Sequence, residues 1–290
     1  MQGFKDFQHV TISVSDIDRS IAFYRDLLGF PVLGRLNYRN KIGLVIDFLD
    51  IGHGALIELF SFSMPTKPNE WQPNDIQAGL RHIGFKVRDV DAEVARLKAA
   101  GVEFTMEPTN ATGRVRIAFF KDPDGTLLEL VQGELQYHKT GMAMPVVNEQ
   151  PCDEHPLVFD HVAITVSNLD EALQFYRDQL GFLVLGQLFF NDARGFTISY
   201  VQAGTSVLEF FSFSIPTIPH RWNPDETVLG LKHVGLEVDD VYAVADRLKA
   251  DGVHFIYEPT DALGNVKTAF FEDPDGNALE LIDGTCTYDE

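Results

Sequence analysis

Over most of its length the chain states its sequence twice. FYRDLLGFPVLG (23–34) returns as FYRDQLGFLVLG (175–186). GLRHIGFKVRDVDAEVARLKAAGVEF (79–104) returns as GLKHVGLEVDDVYAVADRLKADGVHF (230–255), and AFFKDPDGTLLEL (118–130) as AFFEDPDGNALEL (269–281). The spacing between copies shortens by one residue after the loop at 36–44. A repeat this long, present twice, means two homologous modules rather than a solenoid of short units. We read them as residues 1–135 and 158–290, each of a size that buries its own core. Residues 136–157, QYHKTGMAMPVVNEQPCDEHPL, carry three prolines, show no counterpart and read as a linker.

Each module repeats one grammar internally. FQHVTISV alternates like a strand, and in SDIDRSIAFYRDLLGF the residues Ile17, Ile21, Tyr24 and Leu28 keep helical spacing. Asp16 or Asp18 can cap this helix and Gly29 stops it. Three strand candidates follow, ending in ALIELFSF; LRHIGFKV then opens a second round that closes with the turn DPDG and the strand LLELVQ. The expected fold is α+β, with four tandem βαβββ units forming two curved mixed or antiparallel sheets.

Composition excludes several functions. A formal charge of −20 is wrong for a nucleic-acid partner, which needs a Lys/Arg field to displace counter-ions. Two cysteines, Cys152 and Cys286, make no disulfide framework and no thiolate cluster. The start MQGFKDFQHVTISV has no apolar signal core and no run approaches membrane length. A cytoplasmic protein acting on a small molecule, as monomer or homodimer, is expected.

Of nine histidines, four keep a histidine at the matching position: His9 with His161 and His82 with His233. Strand alternation says where they point. In FQHVTISV, Phe7, His9, Thr11 and Ser13 share one face and Val10, Ile12 and Val14 the other, which should carry the helices. His82 is out of phase with Ile83, Phe85 and Val87. Glu58 shares a face with Phe60 and Phe62, opposite Ile57 and Leu59, and Glu129 lies opposite Leu128 and Leu130. One His or Glu thus leaves each of four strands on the face away from the helices, in the order His, Glu, His, Glu, and the second module repeats the order. A glutamate in a greasy strand is costly to bury unless something pairs with it. Hydrogen-bonded pairs in a polar cleft are the plain explanation for any one such residue. For a quartet written twice, two imidazoles and two carboxylates around a divalent ion explain more, leaving two coordination positions open. Other recurring acids have ordinary roles: Asp18, Asp170, Asp89 and Asp240 at helix starts, the DPDG copies in turns, and Glu107 and Glu258 before prolines.

The words HVTISVSDIDRSIAFYRDLLGF, IELF, GLRHIGFKV and FFKDPDGTLLELV, with their second copies, resemble the vicinal oxygen chelate superfamily of glyoxalases, bleomycin-resistance proteins and extradiol dioxygenases. The resemblance spans the chain apart from the linker. It implies two glyoxalase-like modules with metal ligands His9, Glu58, His82 and Glu129, then His161, Glu209, His233 and Glu280, and two divalent ions (Zn, Ni, Co, Mn or Fe) per chain. It also implies one of three activities. The first is a metal-dependent lyase or isomerase that moves a proton next to a metal-bound carbonyl, with Glu129 and Glu280 as bases. The second is an Fe(II) ring-cleaving dioxygenase, and the third a drug-sequestering binding protein. Ring-cleaving relatives carry a histidine shortly before the DPDG word, where this chain reads NATGRVRIAFFKDPDG and DALGNVKTAFFEDPDG. A binding protein gives no reason for two metal quartets, so the first class is favoured. Phe60, Phe62, Phe211 and Phe213 are expected to wall the substrate pockets, Trp71 and Trp222 to cover their mouths, and Arg116 and Lys267 to meet an anionic group. Nothing in the sequence reads as a glutathione site.

Overall fold

A computed structural model describes residues 3–72, 74–139, 150–153 and 155–289. The first unit is strand β1 (Phe4–Ser13), helix α1 (Ile17–Ile21) continued by a π-helical segment (Ala22–Leu27), and strands β2 (Val32–Asn37), β3 (Val45–Asp50) and β4 (Leu56–Ser61). The second is β5 (Gly79–Lys86), α2 (Val90–Ala99), β6 (Phe104–Asn110), β7 (Arg116–Lys121) and β8 (Leu127–Gln132). A short strand β9 (His138–Lys139) precedes the third unit: β10 (Val158–Thr165), α3 (Leu169–Leu173) with its π-helical continuation (Gln174–Gln179), β11 (Leu183–Phe189), β12 (Thr197–Ala203) and β13 (Ser206–Ser212). The fourth is β14 (Gly230–Val238), α4 (Val241–Ala250), β15 (Phe255–Ala262), β16 (Val266–Glu272) and β17 (Ala278–Asp283). The expected α+β architecture of four βαβββ units is the one observed.

The helices begin where side chains satisfy their free N–H groups. Asp16 accepts from the Arg19 amide, Asp89 from Ala92 and Asp240 from Ala243. Asn168 caps α3, so Asp18 and Asp170 sit inside the first turn, where their charge meets the positive end of the helix rather than capping it. The π-helical segments bury Tyr24 and Tyr176. Their hydroxyls donate to Asp122 (2.9 Å) and Asp273 (3.0 Å), the first aspartates of the two DPDG turns, which also accept backbone N–H groups of their own turns.

Within each unit the first and last strands pair in parallel and the middle strands antiparallel. The sheets do not follow the module boundary. One sheet runs β15-β16-β17-β14-β1-β4-β3-β2, joining the first unit to the fourth; the other runs β6-β7-β8-β5-β10-β13-β12-β11-β9, joining the second to the third. The seams are antiparallel, with Thr11 opposite His233 and Ala163 opposite His82. The halves of the two modules are therefore exchanged.

Val10, Ile12, Val14, Ile57, Leu59, Ile83, Phe85, Leu128 and Leu130 all enter one core that receives side chains from both sheets and the helices, as their strand phase predicts. Phe7 departs from its expected face. A break in register between Phe7 and His9 turns it into that core, where its ring stacks on Phe159 at 4.8 Å. The expected linker is in part structured: β9 adds an edge strand beside β11, with His138 opposite Gln187, and residues 140–149 and 154 lie outside the described residues. The end of the second module does the same work, since Tyr288 packs over Gly34 of β2 as Tyr137 packs over Gly186 of β11.

Candidate metal centres

The exchange of halves decides which ligands meet. His9 on β1, Glu58 on β4, His233 on β14 and Glu280 on β17 converge in one sheet; His82 on β5, Glu129 on β8, His161 on β10 and Glu209 on β13 converge in the other. In each quartet one ligand atom per residue lies within 4.8 Å of the other three, and all eight residues are buried. In the first centre His9 Nε2 stands 3.0 Å from Glu280 Oε2 and 3.6 Å from Glu58 Oε2, and His233 Nε2 stands 3.1 Å from Glu280 Oε2. In the second, His82 Nε2 is 3.0 Å and His161 Nε2 3.1 Å from Glu129 Oε2, and His161 Nε2 is 3.5 Å from Glu209 Oε2.

Two acids per pocket place the bare quartets under electrostatic stress. Burial pushes Glu58 up to about 7 and Glu209 up to about 8, against the pull of His9 and His161. Burial would raise Glu129 too, but hydrogen bonds from His161 and His82 hold it down at about 2; His233 and His9 likewise keep Glu280 well below the usual carboxylate range. Burial lowers His82 to about 4.

The donor set fits a divalent cation on structural grounds. His9 Nε2 is buried between two carboxylate oxygens, 3.0 Å from Glu280 and 3.6 Å from Glu58, and makes a well-angled hydrogen bond to neither. Two imidazole nitrogens and two carboxylate oxygens suit a hard or borderline divalent ion. Two of the four outer ring nitrogens have the partner that orients a metal-bound histidine: His161 Nδ1 lies 2.8 Å from Asp160 Oδ2 and His9 Nδ1 contacts Gln8 Oε1, whereas His82 Nδ1 and His233 Nδ1 are buried with no hydrogen-bond partner among the described residues. Sequence reasoning missed two positions that make room for the rings. Gly235 and Gly84 face His9 and His161 across the seams, and a Cβ at either would overlap the imidazole. Their signal is the glycine two residues after each repeated histidine in RHIGF and KHVGL.

Each centre opens into a cavity, of about 650 Å³ at Glu58 and Glu280 and about 520 Å³ at the second quartet. Phe60 lines the first and Phe211 the second. Phe62 and Phe213 do not line them: Phe62 packs into the cluster around Phe60, and Phe213 stacks on Phe196 at 5.0 Å beneath Arg194. The first phenylalanine of each AFF word takes their place, with Phe119 edge-on to His82 at 5.1 Å and Phe270 edge-on to His233 at 5.0 Å. Phe120 and Phe271, one residue on, face the core.

The same alternation places Arg116 and Lys267 away from the cavities. Ile117 and Phe119 of β7 line the second cavity, so Arg116 turns toward α2, where it forks onto Asp91 at 2.6 and 2.7 Å. Lys267 lies 3.6 Å from Asp283 and over the ring of Tyr242. Trp71 borders the second cavity, but Trp222 does not border the first; both flank a crevice between the two proline-rich loops.

The family model of the glyoxalase/bleomycin resistance protein/dioxygenase superfamily matches residues 6–130 and 158–281. The chain belongs to this superfamily. It is 25% identical to glyoxalase I of Saccharomyces cerevisiae, covering 94% of this chain and 91% of that one, and 28% identical to a probable chloroplastic lactoylglutathione lyase of Arabidopsis thaliana, covering 95% and 72%. Among solved structures, a point mutant of Zea mays glyoxalase I superposes with a TM-score of 0.74 at 25% identity, covering 96% of this chain and 92% of the other. This glyoxalase-superfamily chain shares its two-module arrangement over nearly its full length with these relatives.

Proposed function

We propose that this chain is a metal-dependent lyase or isomerase of the glyoxalase type, moving a proton at a carbon next to a carbonyl of a small oxygenated substrate. The observation that carries this is the pair of complete His₂Glu₂ quartets, each buried at the floor of a cavity with apolar walls. The similarity to enzymes named glyoxalase I and lactoylglutathione lyase supports it.

A divalent ion (Zn, Ni, Co, Mn or Fe) held by a quartet would supply Lewis-acid polarisation of the carbonyl. The remaining work falls to side chains of the chain. Glu129 and Glu280 line the cavities and each lies beside both histidines of its quartet, which supports assigning them the taking and returning of the proton. Phe119, Phe211, Phe60 and Phe270 limit water at the reacting carbon. Both quartets are complete within one chain, so a monomer suffices for either centre.

The test is a panel of hemithioacetals offered to metal-loaded protein in deuterated water. Deuterium at the exchanging carbon of the product is expected. Oxygen uptake with a catechol and a yellow ring-opened product would overturn the reading in favour of a dioxygenase.

A further inference from the structure

The two cavities differ in charge. Apart from its quartet, the cavity at Glu58 and Glu280 is lined by two acids, Glu226 and Asp261, and by no lysine or arginine among the described residues. The cavity at Glu129 and Glu209 is lined by Asp75 and Asp160, but also by Arg81 and Lys121.

Glu226 and Asp75 occupy matching positions in the two modules, and their surroundings explain the difference. Asp75 is neutralised twice, by Arg81 Nη2 at 3.0 Å and Arg194 Nη1 at 3.2 Å. Where the first cavity needs Arg81 it has Lys232, whose single ammonium is spent on the carbonyls of Asn223 (3.1 Å) and Asp225 (2.9 Å). Where it needs Arg194 it has Ile42. A forked guanidinium can serve backbone and carboxylate together, as Arg81 does on Asn74 O and Asp75; an ammonium on a straight stem does not reach both here. Glu226 is left with a buried Oε2 that has no hydrogen-bond partner among the described residues. Its backbone is pinned by the Ser13 hydroxyl, which donates to the Glu226 carbonyl at 2.6 Å. Burial, eased by Lys232 and reinforced by Glu280, Asp225 and Glu58, raises its carboxyl to about 7. A half-buried carboxylate with one oxygen shut away and unpaired, and only the charge of Lys232 near it with no direct contact, is a costly arrangement unless a ligand completes it.

We propose that the two cavities of one chain select substrates of different charge, Glu226 being the residue that makes the cavity at His9 take a substrate carrying a protonated amine. This rests on the lyase reading above for the reaction, though not for the recognition. The cavity at His161 has cations of its own and no uncompensated acid at the matching place, so it carries no such preference.

The cavities are separated by disabling one quartet at a time, with His82→Ala/His161→Ala or His9→Ala/His233→Ala. Each metal-loaded variant is offered methylglyoxal adducts of 2-(dimethylamino)ethanethiol, whose tertiary amine cannot close a ring onto the aldehyde, and of neutral 2-mercaptoethanol. The ratio of kcat/KM for the cationic over the neutral adduct should be higher in the cavity at His9. It should fall on the order of ten-fold with Glu226→Gln and further with Glu226→Lys. An equal ratio in both cavities, or one unmoved by Glu226→Gln, overturns the proposal. If Glu226→Gln does not fold, the comparison of the two cavities decides alone. If neither adduct is turned over, the reaction reading fails instead, and calorimetry with the stable S-acetonyl thioethers of the same thiols decides the recognition. Preferential binding of the ammonium thioether at the His9 cavity upholds it; equal binding, or none, overturns it.

Discussion

His9 and Gly235 occupy one another's space across the seam between β1 and β14: the imidazole lies where any side chain at position 235 would begin. The backbone at Gly235 is not left-handed, so the glycine is there for room and not for conformation. Gly235→Ala should push His9 out of line with Glu58, Glu280 and His233. Overpacking of this kind costs about 1–3 kcal/mol. Metal analysis of the loaded variant should show about half the wild-type content, with the second centre retained. Full occupancy would mean that the ring has another place to go.

The Tyr24 hydroxyl reaches Asp122, which burial raises to about 6, and so ties the π-helical segment to the DPDG turn. Tyr24→Phe removes a donor from a buried acid and should cost about 1–3 kcal/mol. Tyr176→Phe should cost a similar amount through Asp273. Chemical denaturation read by circular dichroism measures both. A change of less than a few tenths of a kcal/mol would show that the turn's own N–H groups suffice.

Metal removal should make stability fall as pH rises. In the bare quartets Glu58 and Glu209 hold their protons up to about 7 and about 8, far above an unfolded glutamate. Raised carboxyls favour the folded state below the unfolded value, and that contribution is lost as pH rises through about 7 and about 8. Glu129, held at about 2, contributes above the unfolded value and changes nothing across neutral pH. Chelated protein should therefore lose several degrees of melting temperature between about pH 5 and pH 8. The metal-loaded protein should not, since a bound cation removes the reason for those protons. Parallel slopes for the two forms would refute this.

Much of the candidate site could be read from the sequence, because the repeat preserved His9, Glu58, His82 and Glu129 as His161, Glu209, His233 and Glu280 while their neighbours changed, and strand alternation then fixed their face. What escaped has physical causes. Phe7 left its face through a break in register that alternation alone does not reveal. Arg116 and Lys267 were basic in both copies, but Ile117 and Phe119, and Thr268 and Phe270, hold the cavity face of those strands. Tyr137, just past the first module, and Tyr288, at the end of the second, lie in weak copies of one tail, which close over β11 and β2 without a strong pattern of their own. The pairing of halves was open for a different reason: exchanged and unexchanged arrangements both give each centre two histidines and two glutamates. Only the strand order, β14 beside β1 and β10 beside β5, distinguishes them.

That strand order can be tested by metal counting. His9 and His82 belong to the same module but to different centres, whereas His9 and His233 belong to different modules and the same centre. Losing one histidine weakens its own cluster, since ligands act through the ion they share. His9→Ala alone should lower the metal content by about one equivalent. Adding His233→Ala should lower it no further, because that centre is already lost. Adding His82→Ala instead should empty the second centre as well and leave a chain with almost no metal. Plasma emission spectrometry on the gel-filtered proteins gives the counts, and circular dichroism confirms that each variant is folded. The opposite pattern, with His9→Ala/His82→Ala keeping one ion and His9→Ala/His233→Ala keeping none, would require each module to close on itself and would break the seam between β1 and β14.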